Sequence, residues 1–233
     1  MSIILNIETA TPVCSIALTD NDQMLSLRET SEKNSHSQVV TVFIDEMLKD
    51  CGLSPNDLDA VAVSKGPGSY TGLRIGVSTA KGICYALGKP LISVGTLKAM
   101  ALGMSLKFRN PETLPVLFAP MIDARRMEVY TALYDQNLIA VKDVYAAIVD
   151  KDTFSDLIEN HIICFAGDGA EKCRETLNHP NFRLLDDFTA SAAYMKDFSA
   201  EKFKAGQFED TAYFEPFYLK DFVAGAPSVK GLK

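Results

Sequence analysis

Read for hydrophobic and polar positions, the chain opens with an apolar run at Ile3–Glu8 that ends in an acid. A partly alternating stretch follows at 12–19, and after an Asp-Asn-Asp turn another spans 23–30. Three such segments joined by short turns predict a strand meander. His36–Asp50 carries a helical period, 59–64 is an apolar strand, 69–87 a helix, 90–94 a strand and 96–106 a further helix. The order is β-β-β-α-β-α-β-α. Past residue 115 the opening recurs, with strands at 115–122, 127–134 and 138–145, a helix at 152–160, a strand at 162–166 and a helix at 170–177. An amphipathic helix at 190–205 closes the pattern. In both halves the first strand ends in an acid that enters a turn, Glu8 and Asp123.

Two copies of one unit predict an α/β fold of two ribonuclease-H-like domains of the actin/hexokinase/Hsp70 type around a cleft. This step is an analogy of element order. The pattern breaks at Lys107-Phe108-Arg109-Asn110-Pro111-Glu112, which divides the chain into 1–105 and 106–233. The tail 224–233 contains Gly225, Pro227 and Gly231 and is expected to fray in isolation.

The first helix has more apolar surface than one sheet needs. Val39, Val40, Val42, Phe43, Ile44, Met47 and Leu48 cover an arc of roughly 240°, against the 100° or so of a single buried stripe. The second helix carries a row of small residues, Gly72, Gly76, Ala80 and Cys84, at spacings that let another backbone approach. These features make Val39, Phe43, Met47, Gly76, Ala80 and Cys84 candidates for a partner interface. The alternative is that both helices are covered within the monomer.

Composition narrows the classes. A chain of 233 residues that is 47% hydrophobic and 23% charged buries a core and is not globally disordered. Lys+Arg 23 against Asp+Glu 30 leaves a net charge of −7, which disfavours tight free-standing nucleic-acid binding. A subunit whose partner carries the basic surface remains possible. No apolar run approaches the roughly 18 residues of a membrane span, and the first residues lack the positive start of a signal peptide. No membrane and a cytoplasmic location are therefore expected. The five cysteines are scattered, without C-x-x-C, and read as reduced thiols.

The densest local motif is Ser64-Lys65-Gly66-Pro67-Gly68-Ser69-Tyr70-Thr71-Gly72-Leu73-Arg74-Ile75-Gly76, a strand-to-helix link. Its glycines permit a tight turn, Ser69 or Thr71 can cap the helix, and amides at such a helix start favour an anion. The alternative is a capped turn that binds nothing. Glu8 and Asp123 across a cleft could hold a hydrated divalent ion on nucleotide phosphates, or each could cap its own turn. Gly167-Asp168-Gly169-Ala170 forms another such turn, where a nucleotide base could sit. The candidate cofactor-binding residues are accordingly Glu8, Thr9, Gly66, Gly68, Ser69, Asp123 and Gly167. The three histidines show neither H-x-x-x-H nor H-E-x-x-H, and His36 reads as part of a polar cap. There is no G-x-S-x-G elbow either.

With these motifs in view, the sequence resembles the TsaB (YeaZ) family of tRNA threonylcarbamoyladenosine biosynthesis subunits. The likeness rests on Ile7-Glu8-Thr9-Ala10 with Cys14-Ser15-Ile16-Ala17-Leu18, on His36-Ser37-Gln38 and on the long glycine motif. Ile122-Asp123-Ala124-Arg125, Glu128-Val129-Tyr130 and Pro216-Phe217-Tyr218-Leu219 also fit. The resemblance implies a subunit without catalytic activity of its own. It would work beside a TsaD-like catalytic paralogue and a TsaE-like ATPase, in transfer of a threonylcarbamoyl group to adenosine 37 of ANN-decoding tRNAs. It also implies a helical interface with the paralogue, a homodimer in isolation, and tRNA contact only through the complex. No cofactor belongs to this chain. ATP and magnesium enter at the level of the complex, and a zinc- or iron-type metal sits on the partner, bound by His-x-x-x-His. Here Thr96 and Met100 stand at those positions. The family often has Asp where this chain has Glu8. The competing readings are a stand-alone ATPase or kinase using Glu8, Asp123 and the glycine loop, and a glycoprotease-like peptidase.

Overall fold

A computed structural model describes residues 2–32, 35–110 and 112–220; the expectation for the tail 224–233 lies outside them. Among the described residues ten strands form two sheets of five. In the first, β1 (Ile3–Glu8) lies between antiparallel β2 (Cys14–Asp20) and parallel β4 (Ala60–Ser64), with β3 (Gln23–Thr30) and β5 (Leu91–Val94) at the edges. In the second, β6 (Val116–Asp123) lies between antiparallel β7 (Glu128–Tyr134) and parallel β9 (Ile162–Ala166), flanked by β8 (Ala140–Ile148) and β10 (Phe182–Leu184). The orders β3-β2-β1-β4-β5 and β8-β7-β6-β9-β10 are one topology used twice. Glu8 and Asp123 therefore end equivalent strands, and the glycine motif after β4 matches the Gly167 turn after β9.

Side-chain alternation splits the first sheet cleanly. Ile3, Leu5 and Ile7 of β1 face α1 (His36–Asp50) and α2 (Tyr70–Leu87), together with Ile16, Leu18, Val61 and Val63. Ile4, Ala17, Ala60 and Ala62 face the other way, onto Ala192 and Met195 and towards α4 (Lys196–Lys204). α3 (Thr96–Lys107) packs Leu97, Met100, Ala101 and Met104 against Val116, Phe118 and Ile162 of the second sheet. The covering helices thus cross over. Helix α3, whose packing residues precede residue 105, covers the second sheet, and the chain after residue 190 returns to the first. A cut at 105 would strip each sheet of part of its core.

Three expectations for the second half need correction. Residues 152–160 form consecutive turns, not a helix. Asp150 and Thr153 exchange side-chain and backbone hydrogen bonds, and Phe154 takes φ +66°. Short polar side chains that bond nearby amides compete with a helical start. Around 170–177 only Glu171–Cys173 is helical, as a 3-10 turn, and 190–205 divides into a 3-10 turn at Ala192–Met195 followed by α4. The three-residue strand β10 was not legible, because Phe182-Arg183-Leu184 is too short for periodicity.

Candidate functional site

The first candidate residues gather at the turn leaving β1. Glu8 is 1% exposed. Its Oε1 accepts the Ala10 N–H at 2.6 Å and the Ser64 hydroxyl at 3.0 Å. Burial raises its pKa to about 7, opposed by the bonds from Ala10, Ser64 and Thr9, and Asp168 adds repulsion. The Thr9 hydroxyl donates to Gly72 O at 2.8 Å, and the Ser69 N–H donates to Ala10 O at 2.7 Å. His36 Nε2, at the first residue of α1, lies 3.0 Å from Thr11 O. A carbonyl only accepts, so that nitrogen carries the hydrogen. One turn therefore ties down the starts of α1 and α2 and the end of β4.

This arrangement explains the glycine motif. A Cβ at Gly68 would collide with Ala10 O, at Gly72 with Thr9 O, and at Gly76 with Thr9 Oγ1. The motif holds α2 against the β1 turn at backbone distance. Gly66 has φ +108°, exchanges hydrogen bonds with Thr96 through N–H and C=O, and leaves no room for a Cβ beside Phe217 O, 2.6 Å away. Ser69 caps α2 by accepting the Gly72 N–H at 3.2 Å. The amides of Ser69, Gly72 and Leu73 are all spent inside the chain, so the anion cradle expected there is not offered by them. The polar cap expected at α1 also differs. Ser35 is the N-cap residue, but its hydroxyl donates back to Glu32 O.

Glu8 and Asp123 are not paired; each accepts a backbone N–H of its own turn. Asp123 is exposed, accepts the Arg125 N–H and forms an ion pair with Lys172. The acid that acts on Glu8 is Asp168, which follows Gly167 in the equivalent turn of the second sheet. Asp168 reaches solvent, yet the surrounding protein displaces much of the water about it and raises its pKa to about 6. The Asp123 N–H opposes this rise, the Asp123 carboxylate adds to it, and Lys172 opposes it. Sequence reasoning did not assign Asp168 an acid's role; the matching position of the Gly167 turn was the signal that could have done so. Gly167, at φ +116°, admits the Met100 methyl and Met121 O where a Cβ would stand.

Positions 96 and 100 are built into the fold. Thr96 is fully buried, and its hydroxyl accepts the Gly66 N–H at 3.1 Å. Met100 is 1% exposed in the core under the second sheet. Neither matches a borderline metal that prefers imidazole. Among the described residues no three His, Cys, Asp or Glu side chains are grouped to hold a metal ion. All five cysteines are free, and no helix of the described residues is long and apolar enough to cross a membrane.

The expected partner face is corrected in part. Met47, Ala80 and Cys84 are at most 2% exposed in the core shared with β1 and β4, and Gly76 meets Thr9. The small-residue row serves this chain's own packing. Val39 and Phe43 are half-buried at the margin of that core. The large apolar side chains that stand open on the two helices are Val42, 48% exposed, and Tyr85, 87% exposed. Tyr85 was not among the sequence candidates.

The family model for TsaD, tRNA N6-adenosine threonylcarbamoyltransferase, matches residues 25–225. The tRNA threonylcarbamoyladenosine biosynthesis protein TsaB of Escherichia coli (strain K12) is 31% identical over 227 residues, which cover 95% of this chain and 96% of that protein. The protein of the same name from Bacillus subtilis (strain 168) is 38% identical over 131 residues. That alignment spans about half the length of each, 56% of this chain and 54% of the relative. Among solved structures, YeaZ from Pseudomonas aeruginosa superposes with a TM-score of 0.77 at 22% identity, over 94% of this chain and 100% of that one. This last likeness is one of fold.

Proposed function

Since the chain belongs to the TsaB (YeaZ) family, within the wider group that the TsaD model describes, we propose that it is the non-catalytic subunit of a bacterial complex that forms N6-threonylcarbamoyladenosine in tRNA. Membership places the chain in threonylcarbamoyladenosine biosynthesis. The finer reading is that it binds and supports a catalytic, metal-dependent paralogue acting at position 37 of ANN-decoding tRNAs, with an ATPase as third component. The observation that carries it is the fate of positions 96 and 100. Thr96 bonds the glycine loop and Met100 fills the space beside Gly167, so the segment corresponding to the paralogue's metal site is here structural.

In this reading the chain needs no cofactor of its own; ATP, magnesium and the transition metal act elsewhere in the complex. The stand-alone ATPase reading finds less support, because Glu8 is occupied by Ala10 and Ser64 and Asp123 by Lys172. The protease reading finds no G-x-S-x-G elbow in the sequence and, among the described residues, no grouped metal ligands to support it. The α1–α2 side that exposes Val42 and Tyr85, with Val39 and Phe43 at its margin, is the surface for the paralogue, or for a second copy of this chain when the paralogue is absent.

Light scattering after size exclusion tests the partnership. The chain mixed with the metal-binding paralogue of its own genome is expected to elute as a heterodimer, replacing monomer or homodimer. Two separate species at micromolar concentration would contradict the reading.

A further inference from the structure

Part of the positive charge of this acidic chain is held in ion pairs. Arg28 pairs with Glu46 and Asp50, Lys172 with Asp123, Arg174 with Glu171 and Asp186, Arg183 with Glu112, and Lys220 with Glu128. Other described lysines and arginines have no ion pair, and three of these lysines share one place in the fold. Lys65, Lys98 and Lys202 converge on the segment that leaves β5, and among the described residues no carboxylate forms an ion pair with any of them.

Their convergence is fixed by the backbone. Lys65 follows β4 and its N–H donates to Val94 O at 2.8 Å. Lys202, half-buried on α4, donates its ammonium to Ser93 O at 2.7 Å. Lys98 stands exposed in the first turn of α3, two residues beyond the contact of Thr96 with Gly66, with its ammonium 5.3 Å from the Phe198 ring centroid. Burial and then Lys65 depress the Lys202 pKa, Glu209 opposes this, and Lys98 adds to it, so Lys65 and Lys98 both act on Lys202. Glu209 is the nearby carboxylate, and it is bound to the Ser93 hydroxyl.

This placement is electrostatically unfavourable in the free chain. Like charges repel, and a cation in the first turn of a helix opposes the helix dipole. An anion would relieve both. The site also lies at the carboxyl ends of parallel β4 and β5, the edge of an open α/β sheet where ligands bind.

We propose that Lys65, Lys98 and Lys202 form a phosphate-binding patch through which this chain holds the sugar–phosphate backbone of the tRNA in the assembled complex. The inference rests on the reading that tRNA is the substrate of that complex. The patch is small, so it positions RNA already held by the complex and gives the lone acidic chain no strong affinity.

The test is tRNA binding by the complete complex across a salt series, with Lys98→Glu and Lys65→Gln in this chain and Lys151→Glu as a charge control elsewhere. Lys98 is exposed, so its variant is expected to fold, and heterodimer formation checks this. Affinity should fall on the order of tenfold for the double variant. The slope of log affinity against log salt should shrink by about 0.7–0.9 for each lysine removed. The Lys151 variant should retain both. Unchanged affinity and slope in complexes that still assemble would overturn the patch. So would an unchanged tRNA slope with lost binding of ATP or inorganic phosphate, which would assign the lysines to a free phosphate. A wild-type complex that fails to bind tRNA would refute the underlying reading, and the patch with it.

Discussion

The hydroxyl of Thr9 donates to Gly72 O while its backbone carbonyl fills the space a Cβ at Gly72 would need. The neighbouring Glu8 holds the same turn from the other side through Ala10 and Ser64. Glu8 is the residue whose chemistry can be followed by pH. Its carboxyl has a pKa of about 7 in the folded chain against an ordinary 4.5, so the folded state binds the proton more tightly. The stability it contributes is present in full below pH 4.5 and is lost as pH rises through 7. Glu8→Gln should flatten the fall in stability across that window and leave the variant more stable than the parent at pH 8, by up to about 3 kcal/mol. Chemical denaturation at a series of pH values measures this. Parallel curves for parent and variant would show that Glu8 is not protonated at neutral pH. The sequence made Glu8 visible as a strand-end acid. It did not show whether the acid faces an ion or its own turn, because that depends on Ser64, fifty-six residues away in the chain.

The bounds of α1 agree with its helical period, His36–Asp50, because the apolar stripe begins and ends with the helix. The wide arc on that helix was equally legible; its division was not. Val40, Ile44, Met47 and Leu48 pack against the sheet, Val39 and Phe43 lie at the margin, and Val42 is outside. The row from Gly72 to Cys84 fits a second chain or this chain's own backbone equally well from sequence, because small residues serve a close approach in either case; here Gly72 and Gly76 meet Thr9. The two kinds of position should separate by experiment. Met47→Asp buries a carboxylate without a partner and should destabilise the fold by several kcal/mol. Val42→Asp and Tyr85→Ala should shift stability by no more than about 0.5 kcal/mol, yet weaken association with the paralogue by tenfold or more. Thermal melts and titration calorimetry check the pair of effects. Full affinity in both surface variants would move the interface to another face.

Across the whole molecule, one five-stranded topology is used twice, and the strand-end acids and glycine turns fall at equivalent places in the two copies. The duplication was legible in the order of strands, even though the second copy's 152–160 segment folds as turns and its β10 is too short to announce itself. The crossing of α3 to the second sheet and of the chain beyond residue 190 to the first was not legible, since helix amphipathicity says that a face is buried but not against which sheet. One copy carries Glu8, bonded inward, at this end of its sheet; the other carries Asp168 beside an Asp123–Lys172 pair. The central claim is that this chain enables a catalytic paralogue rather than catalysing. Its most direct test is formation of threonylcarbamoyladenosine in tRNA by purified components, with the paralogue, the ATPase and the activated threonylcarbamoyl donor, in the presence and absence of this chain. Sustained modification is expected only when this chain and the paralogue are both present, with none from this chain when the paralogue is omitted. Equal modification without this chain, or modification by this chain in the paralogue's absence, would contradict it.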